Sequence, residues 1–375
     1  MRRFGQQPTT PQRRRFQSNQ PPVVLFVSAT GWLAGPTRSL ATVIRYRGEP
    51  RTCVLASPTG ELPDLVIREG AVGQFVPLRR HKKWERLSRI SATVTASTWI
   101  VRHRRAVGAI HANGLSELNT IGLGALIARV PVVVWNHSSV PSPIAGRMAR
   151  VWRTVLPFVQ WVAVSPIART AVHSATGLPE QDVIVIPNPI DLNDVHKAVP
   201  SHRISPISVG YLSEASERKG FGVLLEAARL MDDSDVEWRL FTELVPGTAA
   251  WDGARSVGQV RNFGRLEDVA MAYAQCDIVF CPSFSESFGR VAAEAMANGI
   301  PVVASDIPAF RDLVGHGEAG LLFPPGNARA AAIAVKELAN GQVLRQRLGE
   351  EGRRRTAMLS PSNVVPLLER LYRSY

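Results

Sequence analysis

One rhythm constrains this chain more than any other feature. Short, wholly apolar runs alternate with helical stretches, and the alternation starts twice. VVLFVS (23–28) is a continuous apolar run, the pattern of a strand covered on both faces. Similar runs follow at Cys53–Ala56, Gly73–Val76, Ala109–His111, Val132–Trp135, Trp161–Val164 and Val183–Ile186. A polar, proline-containing stretch (191–206) interrupts them. ISVGYL (207–212) opens a second series, continued by WRLF (238–241), VRNFG (260–264), DIVFCPS (277–283), PVVAS (301–305) and GLLF (320–323). Strand–helix alternation predicts parallel sheets covered by helices, a doubly wound α/β fold. The restart predicts two such domains, 23–195 and 196–355, with a helix in 356–375 placed to pack back on the first. A length of 375 residues agrees with two domains.

Charge divides the chain unevenly. Residues 1–200 hold 25 basic and 10 acidic side chains, a net +15, whereas 201–375 hold 19 and 21, a net −2. Such asymmetry points the first half at something anionic, against the plainer reading of solubility and an arginine-rich genome. Residues 1–22 carry five Arg, five Gln, four Pro and no acid, which predicts a disordered basic tail. The tail lacks the apolar core of a secretory signal. No run of about 18 apolar residues exists, so a membrane-spanning helix is not expected. Cys53, Cys276 and Cys281 are odd in number and lack metal-ligand spacing, which fits a reducing, cytoplasmic compartment and small buried hydrophobes.

The segment richest in chemistry is PSFSESFGRVAAEAMANGIPVVASD (282–306). A buried strand ends near Pro282, and a helix is expected to start at Glu286–Ser287, with Ser287 as N-cap, and to stop at Gly299. The free amides of Ser287, Phe288 and Gly289 would then form an anion site at the sheet's C-terminal edge, suited to phosphate. Glu286 and Glu294, eight residues apart, would lie roughly 12 Å apart along that helix. That is too far for a hydrolase carboxylate pair, which needs about 5–9.5 Å, and suits two contacts on one elongated ligand. Taken alone, two acids at this spacing are more simply a capping acid and a solvated one.

The flanking residues decide between these readings. E-S-F-G-R-V-A-A-E-A-M-A-N-G-I-P-V-V-A-S closely resembles the signature of the GT4 family of retaining glycosyltransferases, which have the GT-B fold. SVGYLSEASERKGFGVLLEAARLM (208–231), VIVIPNPID (183–191), FGRLEDVAMAYAQCDIVFCPSFSESFG (263–289) and GLLFPPGN (320–327) resemble the family's other segments in order. The resemblance implies two Rossmann-like domains facing a central cleft, with a nucleotide-sugar donor held mainly by the second. It implies that Glu294 holds the ribose, Glu286 contacts the donor sugar or its phosphate, and the amides of Ser287–Arg290 (Ser287, Phe288, Gly289, Arg290) hold the diphosphate. Lys219 maps to the family's diphosphate lysine. The partner arginine would fall at position 211, where this chain has Tyr211; Arg218 is the nearest stand-in. Gly35, in GWLAGPTR (31–38), matches the first domain's phosphate-approaching loop. Arg265 and Leu266 lie where the family contacts the nucleobase. His137 resembles its active-site histidine, although the residues alone leave a hydrogen-bonded core histidine equally open. His111 is a weaker candidate.

The implied activity is transfer of a hexose from a nucleoside-diphosphate sugar to an acceptor hydroxyl with retention, in glycolipid, polysaccharide or other glycoconjugate synthesis. Rival readings are a nucleotide-sugar epimerase on the same fold and a non-catalytic, polyanion-binding scaffold. Asp233-Ser-Asp235 mimics a metal-binding D-x-D but reads as a solvated turn, so no cofactor and no essential metal are expected. Trp84, Leu87, Ile90 and Val94 share one helical face, with Lys82, Arg86 and Arg89 opposite, and GRMARVWRTVLPFVQW (146–161) is a second basic amphipathic segment. Both suit peripheral contact with the anionic inner face of a cell membrane, against the simpler reading of helices covering a sheet. No nucleic-acid motif supports a nucleic-acid partner.

Overall fold

The computed structural model describes residues 22–47, 53–78, 85–140, 143–191, 206–231, 235–266 and 268–374. The basic tail up to residue 21, the junction 192–205, Lys82, Trp84 and Asp233 lie outside the described residues.

The first lobe alternates strand and helix. Its strands are β1 (Val23–Val27), β2 (Cys53–Ser57), β3 (Gln74–Pro77), β4 (Val107–Ala112), β5 (Val132–Asn136), β6 (Val159–Ala163) and β7 (Ile184–Val185). Between them run α1 (Gly35–Tyr46), α2 (Glu61–Arg68), α3 (Glu85–Arg102), α4 (Leu115–Ala128), α5 (Pro143–Val155) and α6 (Pro166–Thr176). The strands form one parallel sheet in the order β3-β2-β1-β4-β5-β6-β7.

The second lobe repeats the plan. Its strands are β8 (Ile207–Tyr211), β9 (Val236–Leu240), β10 (Val260–Asn262), β11 (Ile278–Cys281), β12 (Val302–Ser305) and β13 (Gly320–Phe323). Its helices are α7 (Phe221–Leu230), α8 (Ala249–Arg255), α9 (Val269–Tyr273), α10 (Arg290–Ala297), α11 (Pro308–Val314), α12 (Ala328–Asn340) and α13 (Gln342–Thr356). The parallel sheet runs β10-β9-β8-β11-β12-β13.

These are two doubly wound sheets of the same strand order. Each run named from the sequence became a strand; in the central strands β1, β2, β5, β8, β11 and β12 both faces are buried between helical layers, whereas β3, β7 and β10 at the edges are partly exposed. In each sheet the order reverses between the first strand and the fourth, at β1/β4 and β8/β11. Crevices of this kind, outside the strands' C-terminal ends, are where open α/β sheets bind ligands.

A final helix, α14 (Pro361–Arg373), returns to the first lobe. Val364, Val365, Leu368 and Tyr372 are buried in that lobe's core. The Tyr372 hydroxyl meets His111 Nδ1 at 2.8 Å, and its ring stands edge-on to Phe26. Where the chain crosses between lobes, the Ile190 amide donates to the Leu359 carbonyl at 2.8 Å, so the outgoing and returning segments touch. The three cysteines are buried and unpaired, and burial pushes the Cys53 thiol up to about 11 and the Cys276 thiol up to about 12.

Candidate active site

The C-terminal edges of both sheets line a single cleft of about 680 Å³, a size usual for a small-molecule site. From the first lobe come Leu33, Ala34, Gly35, Pro36, Arg38, His137 and Asn188; from the second come the turns after β8, β9, β10 and β11 together with Arg290 and Glu294. Every site residue expected from the sequence signature therefore lies in the cleft wall: Gly35, His137, Arg218, Lys219, Arg265, Leu266, Glu286, Ser287, Phe288, Gly289, Arg290 and Glu294.

The turn after β11 departs from expectation. Helix α10 begins at Arg290, and its N-cap is Gly289, in the left-handed region at φ 87° with no side-chain cap. Ser287 is not the cap. The reason lies in what already holds residues 283–287. Glu286 accepts from Lys219 Nζ at 2.6 Å and from Ser283 Oγ at 3.0 Å, and the Ser287 carbonyl accepts from Ser165 Oγ of the first lobe. These contacts hold the segment outside the helix, which starts only after Gly289. Only glycine fits there: a Cβ would stand 2.8 Å from the Phe310 ring. Glu286 thus precedes the helix, and the spacing to Glu294 is not the one-helix separation inferred from sequence.

The Lys219 loop is locked to that turn. Gly220, at φ 68°, caps α7 so closely beneath Pro282 that a Cβ would lie 2.0 Å from its carbonyl. The Phe284 amide donates to the Arg218 carbonyl at 2.9 Å. Lys219 and Glu286 form a largely buried ion pair, with 16% and 14% of their side chains exposed. Arg218 behaves differently. More than half exposed, it pairs with Glu214 at 2.8 Å, so its charge is already matched by a neighbour. Tyr211, where an arginine was expected, is wholly buried; its hydroxyl donates to the Glu214 carbonyl at 2.6 Å and pins the loop's first residues.

Glu294 is 5% exposed. It accepts from Arg290 Nε at 2.6 Å and from the Tyr273 hydroxyl at 2.9 Å. An ionised carboxylate has about four acceptor positions, so two remain open. Arg290 also reaches across the cleft to Ser39 Oγ at 2.7 Å. Arg265 donates to the Leu33 carbonyl at 3.1 Å and stands 3.5 Å from Glu61. With Ser165 on Ser287, these contacts bridge the two lobes across the cleft.

His137 follows β5 directly. Its Nε2 lies 3.1 Å from Asn113 Oδ1, and Asn113 Nδ2 donates to the Pro36 carbonyl at 3.4 Å. Nε2 thus faces an amide acceptor, and Asn188 acts on the same ring, opposing part of the effect of burial. Burial, reinforced by the nearby His111 and Arg290, lowers the His137 pKa to about 3. The imidazole is therefore neutral at physiological pH. His111 is no part of the cleft: it is fully buried beneath α14.

Sequence reasoning missed Arg38, Asn113, Ser165, Asn188 and Tyr273. Arg38 lies in the same GWLAGPTR segment as Gly35, one turn into α1, and could have been found there. Tyr273 sits in an alanine-rich stretch and carries no signal beyond that of a core residue.

Comparison with known proteins agrees with this architecture. The profile of glycosyl transferases group 1 matches residues 250–355, and that of Glycosyltransferase Family 4 matches residues 37–194. The phosphatidyl-myo-inositol mannosyltransferase of Mycobacterium leprae is 30% identical over 350 residues, covering 89% of this chain and 90% of that protein. Its counterpart in Mycolicibacterium smegmatis is 32% identical over 323 residues, covering 79% and 78%. Among solved structures, Anabaena Alr3699/HepE in complex with UDP-glucose superposes with a TM-score of 0.79 at 21% identity, covering 94% of this chain and all of that one.

Proposed function

This chain belongs to the GT4 family of glycosyltransferases, and from that premise we propose that it moves a hexose from a nucleoside-diphosphate sugar, with retention, onto a hydroxyl of a lipid-linked acceptor at a membrane surface. The observation that carries this reading is the Lys219–Glu286 pair set beside the uncapped turn 287–289, facing the first lobe across the cleft.

In this reading the nucleotide's ribose hydroxyls bond Glu294, and Arg265 and Leu266 border the base. The diphosphate lies against the 287–290 amides and Lys219, where a helix N-terminus and a cation both favour negative charge. Glu286 orients the sugar. His137 presents its neutral ring to the sugar from the first lobe. The bond from C1 to the β-phosphate oxygen breaks, and its electron pair passes to that oxygen. The acceptor oxygen bonds C1 on the same face, and its proton passes to the departing phosphate. Side chains and amides supply the positive charge, so no metal is required.

The acceptor class follows the relatives' phosphatidyl-myo-inositol chemistry and the first lobe's surface. Helices α3, α4 and α5 pack side by side. The apolar row of α3 faces outward: Leu87, Ile90 and Val94 are each about 60% exposed. Ile127 of α4 and Ile144 and Val151 of α5 extend the apolar surface, with Arg147 and Arg150 exposed among them. Apolar side chains ringed by arginines suit an anionic bilayer. No helix among the described residues is long and apolar enough to cross a membrane, so contact is peripheral in this reading.

Calorimetry with UDP, GDP and ADP tests the donor site, followed by a transfer assay with the matching sugar nucleotides and phosphatidylinositol vesicles. Binding of one nucleotide and a glycosylated lipid product support the proposal; conversion of the donor without acceptor would replace it with an epimerase. Co-sedimentation with anionic vesicles should weaken at high salt, and equal binding to neutral vesicles would reject the docking surface.

A further inference from the structure

The cleft wall contains five cationic side chains: Arg38, Arg218, Lys219, Arg265 and Arg290. Four are engaged by carboxylates. Arg218 meets Glu214, Lys219 meets Glu286, Arg290 meets Glu294, and Arg265 meets Glu61. The Arg38 guanidinium alone has no hydrogen bond and no ion pair among the described residues. It is partly buried, on the first turn of α1, and it faces the donor half of the cleft. There it opposes the upward push that burial and Glu294 exert on the Tyr273 hydroxyl, the group that bonds Glu294.

Position 211 supplies the complement. A cation at the end of β8 would have faced the diphosphate from within the second lobe, but Tyr211 is buried there and its hydroxyl is spent on the Glu214 carbonyl. Arg218 cannot make up the charge freely, because Glu214 travels with it.

We infer that Arg38 is the cation that replaces the missing arginine, clamping the donor's diphosphate from the opposite lobe. The inference rests on the function proposed above and deepens its donor site. The Arg38 guanidinium lines the cleft without an internal carboxylate to hold it, and two phosphates offer it paired acceptors in the geometry its fork fits. Gly35, one turn earlier on the same helix, leaves room for the approach: a Cβ there would meet nothing within 4 Å. The arrangement also couples binding to closure. The diphosphate held by Lys219 and the 287–290 amides draws Arg38, and with it the first lobe, over the leaving group.

Phosphate could reach Arg38 from the donor or from the acceptor lipid's headgroup, and the experiment separates the two. Wild type, R38A and R38K are titrated by calorimetry with whichever of UDP, GDP and ADP binds, and with the corresponding monophosphate, in the absence of acceptor. Melting temperatures confirm that the variants fold. The expected result is a loss of about 10-fold or more in diphosphate affinity for R38A, with the monophosphate losing much less and R38K recovering part. The kcat/KM for transfer should fall by ~10²-fold, as when a donor to a developing oxyanion is removed. Unchanged diphosphate affinity, or equal losses for both nucleotides, overturns the clamp. A raised KM for phosphatidylinositol with donor affinity intact overturns it in favour of the headgroup. Failure of wild type to bind any of the three nucleoside diphosphates overturns the proposed function itself.

Discussion

At the residue scale, the cleft is governed by which polar atoms are already satisfied. Glu294 bonds Arg290 and Tyr273 yet keeps two acceptor positions. E294Q retains the shape and removes the charge, and it should lower nucleotide affinity by about 10-fold; calorimetry giving wild-type affinity would contradict the ribose role. His111 and His137 make a separate prediction. Burial is the main force holding both near a pKa of about 3, far below the ordinary value of 6.5. Between those values the unfolded chain binds protons that the folded chain does not. Stability must therefore fall as pH drops from about 6.5 toward 3, by up to about 1.4 kcal/mol per unit for each histidine. Denaturation midpoints at pH 7 and pH 5 should differ less in H111F than in wild type; an equal difference would show that His111 is not kept neutral.

At the element scale, legibility followed burial and failed at the turn that makes the site. The central strands could be read because a parallel strand buried between two helical layers is apolar on both faces; the edge strands β7 and β10, half-buried to exposed, were read from the alternation. The stop of α10 at Gly299 was equally visible. Its start was not. Ser287 has the right chemistry for a cap, and nothing local reveals that Ser165, 122 residues earlier, will take its carbonyl. For the same reason the membership of the site was readable in the 282–294 segment, while Asn113 and Tyr273 emerged only once distant segments were brought together. The outward turn of α3's apolar row was also hidden, since periodicity shows that a face exists but not which way it points. The Gly289 turn gives a direct test. G289A places a Cβ against Phe310 in a backbone region alanine resists, at a cost of roughly 1–3 kcal/mol. The melting temperature should drop, and nucleotide affinity with it; an unchanged melting temperature would refute the tight fit.

At the scale of the whole molecule, the two lobes share one chain that passes between them twice. Arg290, Ser165 and Arg265 reach across the cleft, so closure is built from a few polar contacts that ligands can reinforce. The returning helix is of another kind, since its apolar side chains complete the first lobe's core. L368A should destabilise that lobe by about 2–5 kcal/mol, the range for emptying a buried leucine site. Chemical denaturation followed by tryptophan fluorescence would measure it, and a change under 1 kcal/mol would mean that α14 merely rests on the surface.

The return of α14 has a consequence for how the protein is made. Strand β7 ends at Val185, yet the lobe it finishes still lacks Leu368 and Tyr372. At about 5–20 residues per second, a translating ribosome needs roughly 10–40 s more to deliver them. Throughout that interval the nascent first half stands with an open seam beside β4, while the second half is still emerging. Synthesis of this enzyme therefore leaves a long window in which a chaperone can shelter the unfinished lobe.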